Sequence, residues 1–351
     1  MPRGPGSSAP AHGRQVRAAG WRDSASRLRG HPDGRLIGTL APPIGAGYTH
    51  PGVLCRARWV NGRSRRGRRR RRGSRPGAPG TIVPLMARTA DGAAAWTPTA
   101  DLDGRVAWVT GAAGGFGAAV ARRLASSGAR VMLSDVRDAE GAAVAADLGC
   151  EYVRCDVTDL AACELAVAAT VERFGRVDLA FLNAGVTTGC SVAGDFDPDR
   201  YRRAVGINLD GVVYGAHAVF APMAANGGGD IVATASLAGL TGTGFDPVYA
   251  TTKHAVVGLV RSIGDDWPRY GIRVNALCPG FADTPLVDPL RGLLHDSGVP
   301  LIPVEMVVDA FVAAATSGRS GECWYVQPGR SGEPFRFRGI PGPRPDQAPA
   351  P

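Results

Sequence analysis

The stretch that decides the fold is residues 106–117, which read VAWVTGAAGGFG. Its first half is apolar and rich in β-branched residues, as a buried strand requires, and its second half is a glycine-rich turn. An Ala-rich segment with the composition of a helix follows at once. Glycines allow a tight turn, and they let the backbone N–H groups at the start of the helix approach a phosphate. Strand, glycine turn and helix in this order predict the nucleotide-binding end of a doubly wound α/β fold.

Short apolar runs and Ala-rich segments alternate from Leu102 onward. The predicted strands are residues 106–110, 130–134, 152–155, 177–182, 231–234, 272–277 and 324–326. The first predicted helices are residues 116–127, 139–148 and 159–174. Strands joined through helices of this length pair in parallel by right-handed crossovers, so that helices cover both faces of the sheet. We therefore predict a doubly wound α/β Rossmann fold over residues 101–335, with a parallel sheet of about seven strands.

Residues 1–100 are predicted to form a disordered extension. Pro, Gly, Ser and Arg dominate it, and the first 85 residues hold eighteen Arg against two acidic residues, whereas the remainder is net negative. Such a segment buries too little apolar surface to offset its chain entropy. It would suit a nucleic-acid-binding or membrane-binding arm or an organelle transit peptide, but we favour an inert tail or a gene-model artefact with translation starting at Met86. Residues 336–351 are predicted to form a Pro-rich C-terminal tail.

The cysteine, histidine and hydropathy patterns exclude several classes of protein. Seven Cys and six His show no C-x-x-C pair and no metal-ligand spacing, so we predict no metal site and expect reduced thiols. No apolar run reaches the roughly 18–20 residues of a membrane span, and no secretion signal opens the chain. We expect a cytoplasmic protein without a membrane partner, and we do not favour a nucleic-acid partner.

Residues at the ends of three predicted strands indicate a dinucleotide. Asp135 ends the second strand, where a carboxylate can accept hydrogen bonds from the ribose hydroxyls of NAD and would repel the extra phosphate of NADP. NAD is therefore favoured, although Arg137 lies nearby and a helix N-cap is the alternative role for Asp135. Asp156 and Val157 follow the third strand, where they are predicted to meet the adenine, with a capping role for Asp156 also open. The small residues of 183–185 follow the fourth strand and permit close approach to the cofactor.

Tyr249 and Lys253 lie four residues apart on one face of a predicted helix, and Lys253 is the only lysine among 40 basic residues. Wherever positive charge suffices the chain uses Arg, so a compact, titratable amine at this position indicates a specific role. Carbonyl reduction needs a proton donor whose pKa approaches neutrality, and a fixed cation beside a phenol lowers its pKa by favouring the phenolate. The pair therefore predicts acid/base chemistry on an alcohol or ketone, although Tyr-x-x-x-Lys alone is a common pattern.

Together these motifs resemble those of the short-chain dehydrogenase/reductase family, and the resemblance extends from residue 104 to residue 330. The family's catalytic Asn, Ser, Tyr and Lys are matched by Asn208, Ser236, Tyr249 and Lys253. Its Thr-Gly-x-x-x-Gly-x-Gly turn, its Asn-Ala-Gly motif and its motif after the sixth strand are matched by Thr110, Gly111, Gly115, Phe116, Gly117, Asn183, Ala184, Gly185, Pro279, Gly280 and Thr284. These residues are expected to bind NAD together with Asp135, Asp156, Val157, Tyr249 and Lys253.

The resemblance implies an enzyme that interconverts an alcohol and its ketone by hydride transfer. Tyr249 would be the general acid/base, Ser236 would orient the substrate oxygen, Lys253 would lower the pKa of Tyr249 and hold the nicotinamide ribose, and Asn208 would anchor a proton-relaying water. The helices near 201–220 and 248–267 would build a homodimer or homotetramer. Two alternatives stay open: a catalytically idle NAD-binding regulatory protein, and an enzyme with an Arg-rich nucleic-acid-binding arm.

The substrate is indicated only by the segment 281–303, which is expected to form a lid over the pocket. Its polar members are Asp283, Asp288, Arg291, His295 and Asp296. Its apolar members are Leu286, Val287, Leu290, Leu293, Leu294, Val299, Leu301 and Ile302. Some of these apolar residues must pack on the core. The rest predict an apolar secondary alcohol or ketone.

Overall fold

The structure, a computed structural model, describes residues 102–339. The predicted extension at residues 1–100 lies outside this range, as does most of the predicted tail. An eight-stranded sheet with the order β3-β2-β1-β4-β5-β6-β7-β8 organises the described chain, and every pair is parallel except β7 with β8. The strands are β1 (Val106–Thr110), β2 (Arg130–Asp135), β3 (Glu151–Arg154), β4 (Leu179–Leu182), β5 (Gly229–Thr234), β6 (Ile272–Pro279), β7 (Cys323–Gln327) and β8 (Arg330–Pro334).

Helices cover both faces of this sheet, as the predicted crossovers require. They are α1 (Gly115–Ser126), α2 (Asp138–Leu148), α3 (Leu160–Phe174), α4 (Pro198–Val205), α5 (Gly211–Ala225), α6 (Pro247–Asp266), α7 (Arg291–Asp296) and α8 (Val304–Thr316). One hydrophobic core lies between the sheet and α3, α5 and α6, and the other lies between the sheet and α1, α2 and α8. The central strands β1 and β4 are buried along their whole length, because a parallel sheet has no solvent face.

The strand order reverses between β1 and β4, which are neighbours in the sheet although β2 and β3 separate them in the chain. At such a switch point the connections leave toward opposite faces, so a crevice opens beyond the carboxyl ends of the strands. The doubly wound Rossmann-type fold is confirmed, and with it the edge of the sheet at which a ligand is expected.

The seven predicted strands are all present and pair in parallel, and β8 adds an antiparallel edge strand that the sequence did not indicate. The sequence of β8, RSGEP, has no apolar alternation, and it contains Gly332 and ends on Pro334. Its pairing is determined by β7, which it meets across a tight Pro328-Gly329 turn with Gly329 at φ 76°. The remaining boundary differences are small. None exceeds two residues: β4 starts two residues later than predicted, β5 starts two residues earlier, and β6 ends two residues later.

A π-helical turn, Gly206–Asp210, joins α4 to α5, so that residues 198–225 form one continuous helix. Among residues 102–339, only this helix is long and apolar enough to cross a bilayer. That is weak evidence for a span, since the core helices of soluble proteins meet the same criterion, and α5 packs on α3 and on the sheet. Isolated π turns inside α-helices occur frequently at functional sites.

Candidate active site

A cleft of about 940 Å³ opens at the carboxyl ends of the central strands. It is lined by most of the residues that the sequence assigned to catalysis or cofactor binding: Gly111, Gly115, Phe116, Asp135, Asp156, Val157, Asn183, Ala184, Gly185, Ser236, Tyr249, Lys253, Pro279, Gly280 and Thr284. Thr110, Gly117 and Asn208 are not in its lining and lie behind that wall. The fold thus brings together residues that are widely separated in the chain.

The glycine turn between β1 and α1 leaves backbone, not side chains, facing the cleft. Gly111 has φ 64°, and a Cβ atom there would lie 2.8 Å from the Cα of Ala184. Gly117 is packed still more tightly, since its Cβ would lie 2.2 Å from the carbonyl oxygen of Gly111. Glycine is therefore required at both positions, for a left-handed turn in one case and for close approach in the other. Because Gly111, Gly114 and Gly115 line the cleft without side chains, the turn fits the pyrophosphate of a dinucleotide.

Asn183 and Thr110 hold the ends of three neighbouring strands together beneath this turn. The Asn183 Nδ2 group donates to the carbonyl oxygens of Thr110 and Gly111 at 3.2 and 3.3 Å, while its Oδ1 accepts from Thr234 Oγ1 at 3.1 Å. Thr110 Oγ1 accepts from the backbone N–H groups of Asn183 and Ala184. These two side chains therefore support the cradle from below.

Asp135 lies at the end of β2, is 7% exposed and faces the cleft. Its Oδ2 accepts from the backbone N–H of Ala113 at 2.9 Å, and its Oδ1 accepts from that of Arg137 at 3.0 Å. The carboxylate thus joins the glycine turn to β2 and does not cap α2, whose N-cap Arg137 makes no side-chain capping bond. The Arg137 guanidinium lies 3.5 Å from Asp135 and is half exposed.

Asp156 lines the cleft and also forms a local turn, so both roles left open by the sequence remain compatible with its position. Its Oδ1 accepts from the N–H and hydroxyl groups of Thr158 at 3.0 and 2.8 Å. Val157 beside it is buried and lines the same wall.

Ser236, Tyr249 and Lys253 meet at the floor of the cleft. Tyr249 lies in the first turn of α6 and forms a hydrogen bond with Ser236, which follows β5. The Ser236 Oγ also caps a short 3₁₀ turn by accepting from Ala238 N at 3.1 Å. Lys253 is 2% exposed, its Nζ donates to the carbonyl of Thr234 at 2.7 Å, and it lies 5.6 Å from the centre of the Tyr249 ring.

The expected lowering of the pKa of Tyr249 by Lys253 is not seen in this structure. Burial raises the pKa of Tyr249 to about 12, while the hydrogen bond with Ser236 opposes the rise and the charge of Asp246 adds to it. Burial also lowers the pKa of Lys253 to about 8. Burial disfavours the charged form of each group. The Lys253 ammonium lies 5.6 Å from the centre of the Tyr249 ring, and its charge does not offset this effect of burial. Near neutral pH the phenol is therefore a proton donor.

Asn208 lies in the π-helical turn and is fully buried. Its Oδ1 accepts from Val186 N at 2.8 Å, and its Nδ2 donates to Val186 O at 2.9 Å and to Thr252 Oγ1 at 3.1 Å. The side chain therefore fixes the segment after β4 to α6. The prediction that Asn208 anchors a proton-relaying water stays a prediction.

The segment 281–303 forms one side of the cleft. A 3₁₀ turn, Pro285–Leu290, and α7 lie within it, and a bridge between Ala282 and Ile302 closes its base. Leu286 and Val287 line the cleft, whereas Leu293 is exposed to solvent. Leu294 and Ile302 are buried, as expected for the members that pack inward.

Three residues of the site were not predicted from the sequence: Thr234, Asp246 and Thr252. Asp246 is 4% exposed and is the N-cap of α6. An Asp-Pro pair directly before a helix is a recognised start signal and would have found it. The two threonines had no sequence signal, because their bonds to Asn183 and Asn208 exist only after strands and helices assemble.

Comparisons with known proteins agree with this geometry. The family model for short chain dehydrogenases matches residues 105–292. The chain is 41% identical over 199 residues to levodione reductase of Leifsonia aquatica, covering 55% of this chain and 74% of that protein. It is 39% identical over 198 residues to trans-4-hydroxycyclohexanecarboxylate dehydrogenase of Sinomonas cyclohexanicum, covering 53% of this chain and 76% of that protein. The crystal structure of levodione reductase matches with a TM-score of 0.59 and 34% identity, covering 65% of this chain and 98% of that one.

The chain therefore belongs to the short-chain dehydrogenase/reductase family. It is an oxidoreductase that acts on CH–OH groups of small molecules, with NAD(H) or NADP(H) as cofactor.

Proposed function

We propose that this enzyme interconverts an apolar secondary alcohol on a six-membered ring and its ketone, with NAD as the hydride carrier and Tyr249 as the general acid/base. The observation that carries the proposal is the meeting of Tyr249, Ser236 and Lys253 on the floor of a cleft whose opposite side is a bare glycine turn. Retention of all these groups favours turnover over the alternative of an idle NAD-binding regulator.

Bound NAD supplies the hydride acceptor, and the chain supplies position and proton transfer. In oxidation, the Tyr249 oxygen takes the proton of the substrate hydroxyl, and in reduction it returns that proton to the carbonyl oxygen. Ser236 already shares a hydrogen bond with the Tyr249 hydroxyl, so its Oγ can hold the same substrate oxygen. Lys253 would hold the nicotinamide ribose. Because the phenol is protonated at neutral pH, oxidation is expected to speed up as pH rises.

The nature of the substrate is supported by the cleft wall and by the relatives. Val186, Ile207, Leu286 and Val287 give that wall an apolar character. One relative is named for a hydroxycyclohexane carboxylate, and another is a reductase of levodione. An apolar wall favours burial of a ring through the hydrophobic effect, by about 25 cal/mol per Å². The lid contributes Leu286 and Val287 to this surface.

A substrate screen tests the proposal. Cyclohexanols with small apolar substituents, linear secondary alcohols and primary alcohols would be incubated with NAD, and NADH absorbance followed. We expect the highest kcat/KM for the ring alcohols. Nucleotide binding without turnover of any alcohol, or of any ketone in the reverse direction, would contradict the proposal and favour the regulatory alternative.

The choice of NAD over NADP is tested at Asp135. Asp135→Asn keeps an oxygen for Ala113 N but removes the charge that opposes a 2′-phosphate. We expect kcat/KM with NADP, relative to that with NAD, to rise by about tenfold to a hundredfold, as loss of a charged hydrogen bond and of repulsion implies. Arg137 is positioned to receive the phosphate. A wild-type preference for NADP, or an unchanged ratio in the variant, would refute the assignment.

We also propose that the enzyme is a cytoplasmic homodimer or homotetramer that associates through the helices near 201–220 and 248–267. Two exposed apolar residues on the first of these helices, Tyr201 and Val213, support this interface. Light scattering on purified protein measures the assembly, and a monomer at micromolar concentration would contradict it. Cell fractionation tests the location.

A further inference from the structure

Asp246 is a buried carboxylate that touches two parts of the active site. It is the N-cap of α6, and its Oδ1 accepts from the backbone N–H of Tyr249 at 3.0 Å. Its Oδ2 accepts from the backbone N–H groups of Thr188 and Gly189 at 2.9 and 3.2 Å. The Thr188 hydroxyl also donates to this carboxylate. A cap needs one such bond, so the other three serve a different purpose.

These bonds close a ring around the segment 186–189, which follows the Asn-Ala-Gly motif. Val186 lines the cleft and is bonded through both its N–H and C=O to the Asn208 side chain. Asn208 donates to the Thr252 hydroxyl, which in turn donates to the carbonyl oxygen of Tyr249 at 2.8 Å. Asp246 completes the ring from Tyr249 N back to Thr188. One end of the segment is thus held by Asn208 and the other by Asp246.

We propose that Asp246 is a positioning residue, whose carboxylate locks the segment 186–189 onto the first turn of α6 and so sets the distance between the cleft wall and the Tyr249 hydroxyl. The proposal rests on the function proposed above for Tyr249. Local capping could be served by Ser or Asn, whereas the three bonds to Thr188 and Gly189 need an acceptor with two charged oxygens.

The charge of Asp246 has a second effect, on the proton that Tyr249 transfers. The groups that face the phenol are Ser236 after β5, Cys278 on β6, Asp246 at the N-cap of α6, and Lys253 on α6 itself. Asp246 is the carboxylate among them, and a nearby negative charge disfavours phenolate. Removing that charge is therefore expected to ease loss of the phenolic proton.

Two kinds of variant separate the two effects. Asp246→Asn and Asp246→Ser remove the charge while keeping an oxygen that can cap Tyr249 N. We expect the acidic limb of kcat/KM for alcohol oxidation to move down by about one pH unit in both. Thr188→Val removes one bond and keeps the charge, so it should raise the KM for the alcohol severalfold and leave the pH profile in place.

Asp159→Asn is the matched control, because Asp159 caps α3 through Ala161 N and is exposed. It should change neither the KM nor the pH profile. Thermal unfolding checks that every variant folds, and NAD binding should stay near wild type in all of them. If the Asp246 variants fold but keep the wild-type pH profile, or if Thr188→Val leaves KM unchanged, the positioning role is refuted while the function of Tyr249 stands. An active Tyr249→Phe enzyme would instead refute the proposed function.

Discussion

Tyr249→Phe is expected to lower kcat for alcohol oxidation and ketone reduction by about a thousandfold, the usual contribution of a general acid/base. The variant retains the ring but has no proton to move. Nucleotide binding should be nearly unchanged, because Lys253 is held by the carbonyl of Thr234 and does not depend on the phenol. The measurements are steady-state rates in both directions and titration of NADH fluorescence.

Tyr201→Phe provides the control for that experiment. Tyr201 lies on α4, is 42% exposed and contacts Phe196 through its ring, so loss of its hydroxyl should leave kcat near wild type. Activity of Tyr249→Phe within tenfold of wild type would show that another group moves the proton. Loss of both activity and nucleotide binding would show that the substitution had damaged the cleft.

Arg273→Met is expected to have the largest effect on stability. Arg273 forms a bidentate pair with Asp230 at the other end of the sheet from the cleft, with bonds of 2.9 and 3.2 Å; the Asp230 side chain is buried, and that of Arg273 is 13% exposed. Removing Arg273 leaves the buried Asp230 carboxylate without its bidentate partner, a loss that typically costs about 3–5 kcal/mol of unfolding free energy. Urea unfolding at pH 8 measures the loss.

The loss should be smaller at pH 5. Burial raises the pKa of Asp230 to about 7, although Arg273 opposes the rise. The folded state therefore binds a proton that the unfolded state has released, and the stability contributed by this proton is lost as pH rises from about 4 through about 7. In Arg273→Met, Asp230 can become neutral at low pH, so an equal loss at pH 5 and pH 8 would contradict the explanation. Arg269→Met, which breaks the exposed pair with Asp266, should change stability little.

Local sequence patterns predicted the elements whose structure is determined locally. Residues 106–117 alone identified the first strand, the glycine turn and the helix, because glycine is required where a side chain would strike Ala184 or the carbonyl of Gly111. Asp135 lies at the cleft because parallel strands present their carboxyl ends at one edge, and Tyr249 and Lys253 on α6 line the same cleft.

What the sequence could not predict depends on contacts between distant segments. β8 becomes a strand only because β7 offers an unpaired edge, and the π turn around Asn208 has no compositional signature. The direction in which the pKa of Tyr249 shifts was also not predicted: the sequence indicated a lowered pKa, and in the structure it is raised. The spacing of Tyr249 and Lys253 suggested a cation near a phenol, but the desolvation that outweighs it arises from the packing of the whole cleft floor.

The antiparallel eighth strand also governs how copies of this chain could associate. Unpaired backbone N–H and C=O groups on an edge strand can form hydrogen bonds with a strand of another chain. In this chain, β8 pairs with β7 and so uses the groups that β7 would otherwise leave free. β8 itself contains Gly332 at φ 74° and ends on Pro334, and these residues discourage the addition of a further strand at its outer edge. Within residues 102–339, a strand from a neighbouring molecule could therefore extend the sheet at β3. At the opposite edge, a sheet shared between two molecules would require β8 to separate from β7.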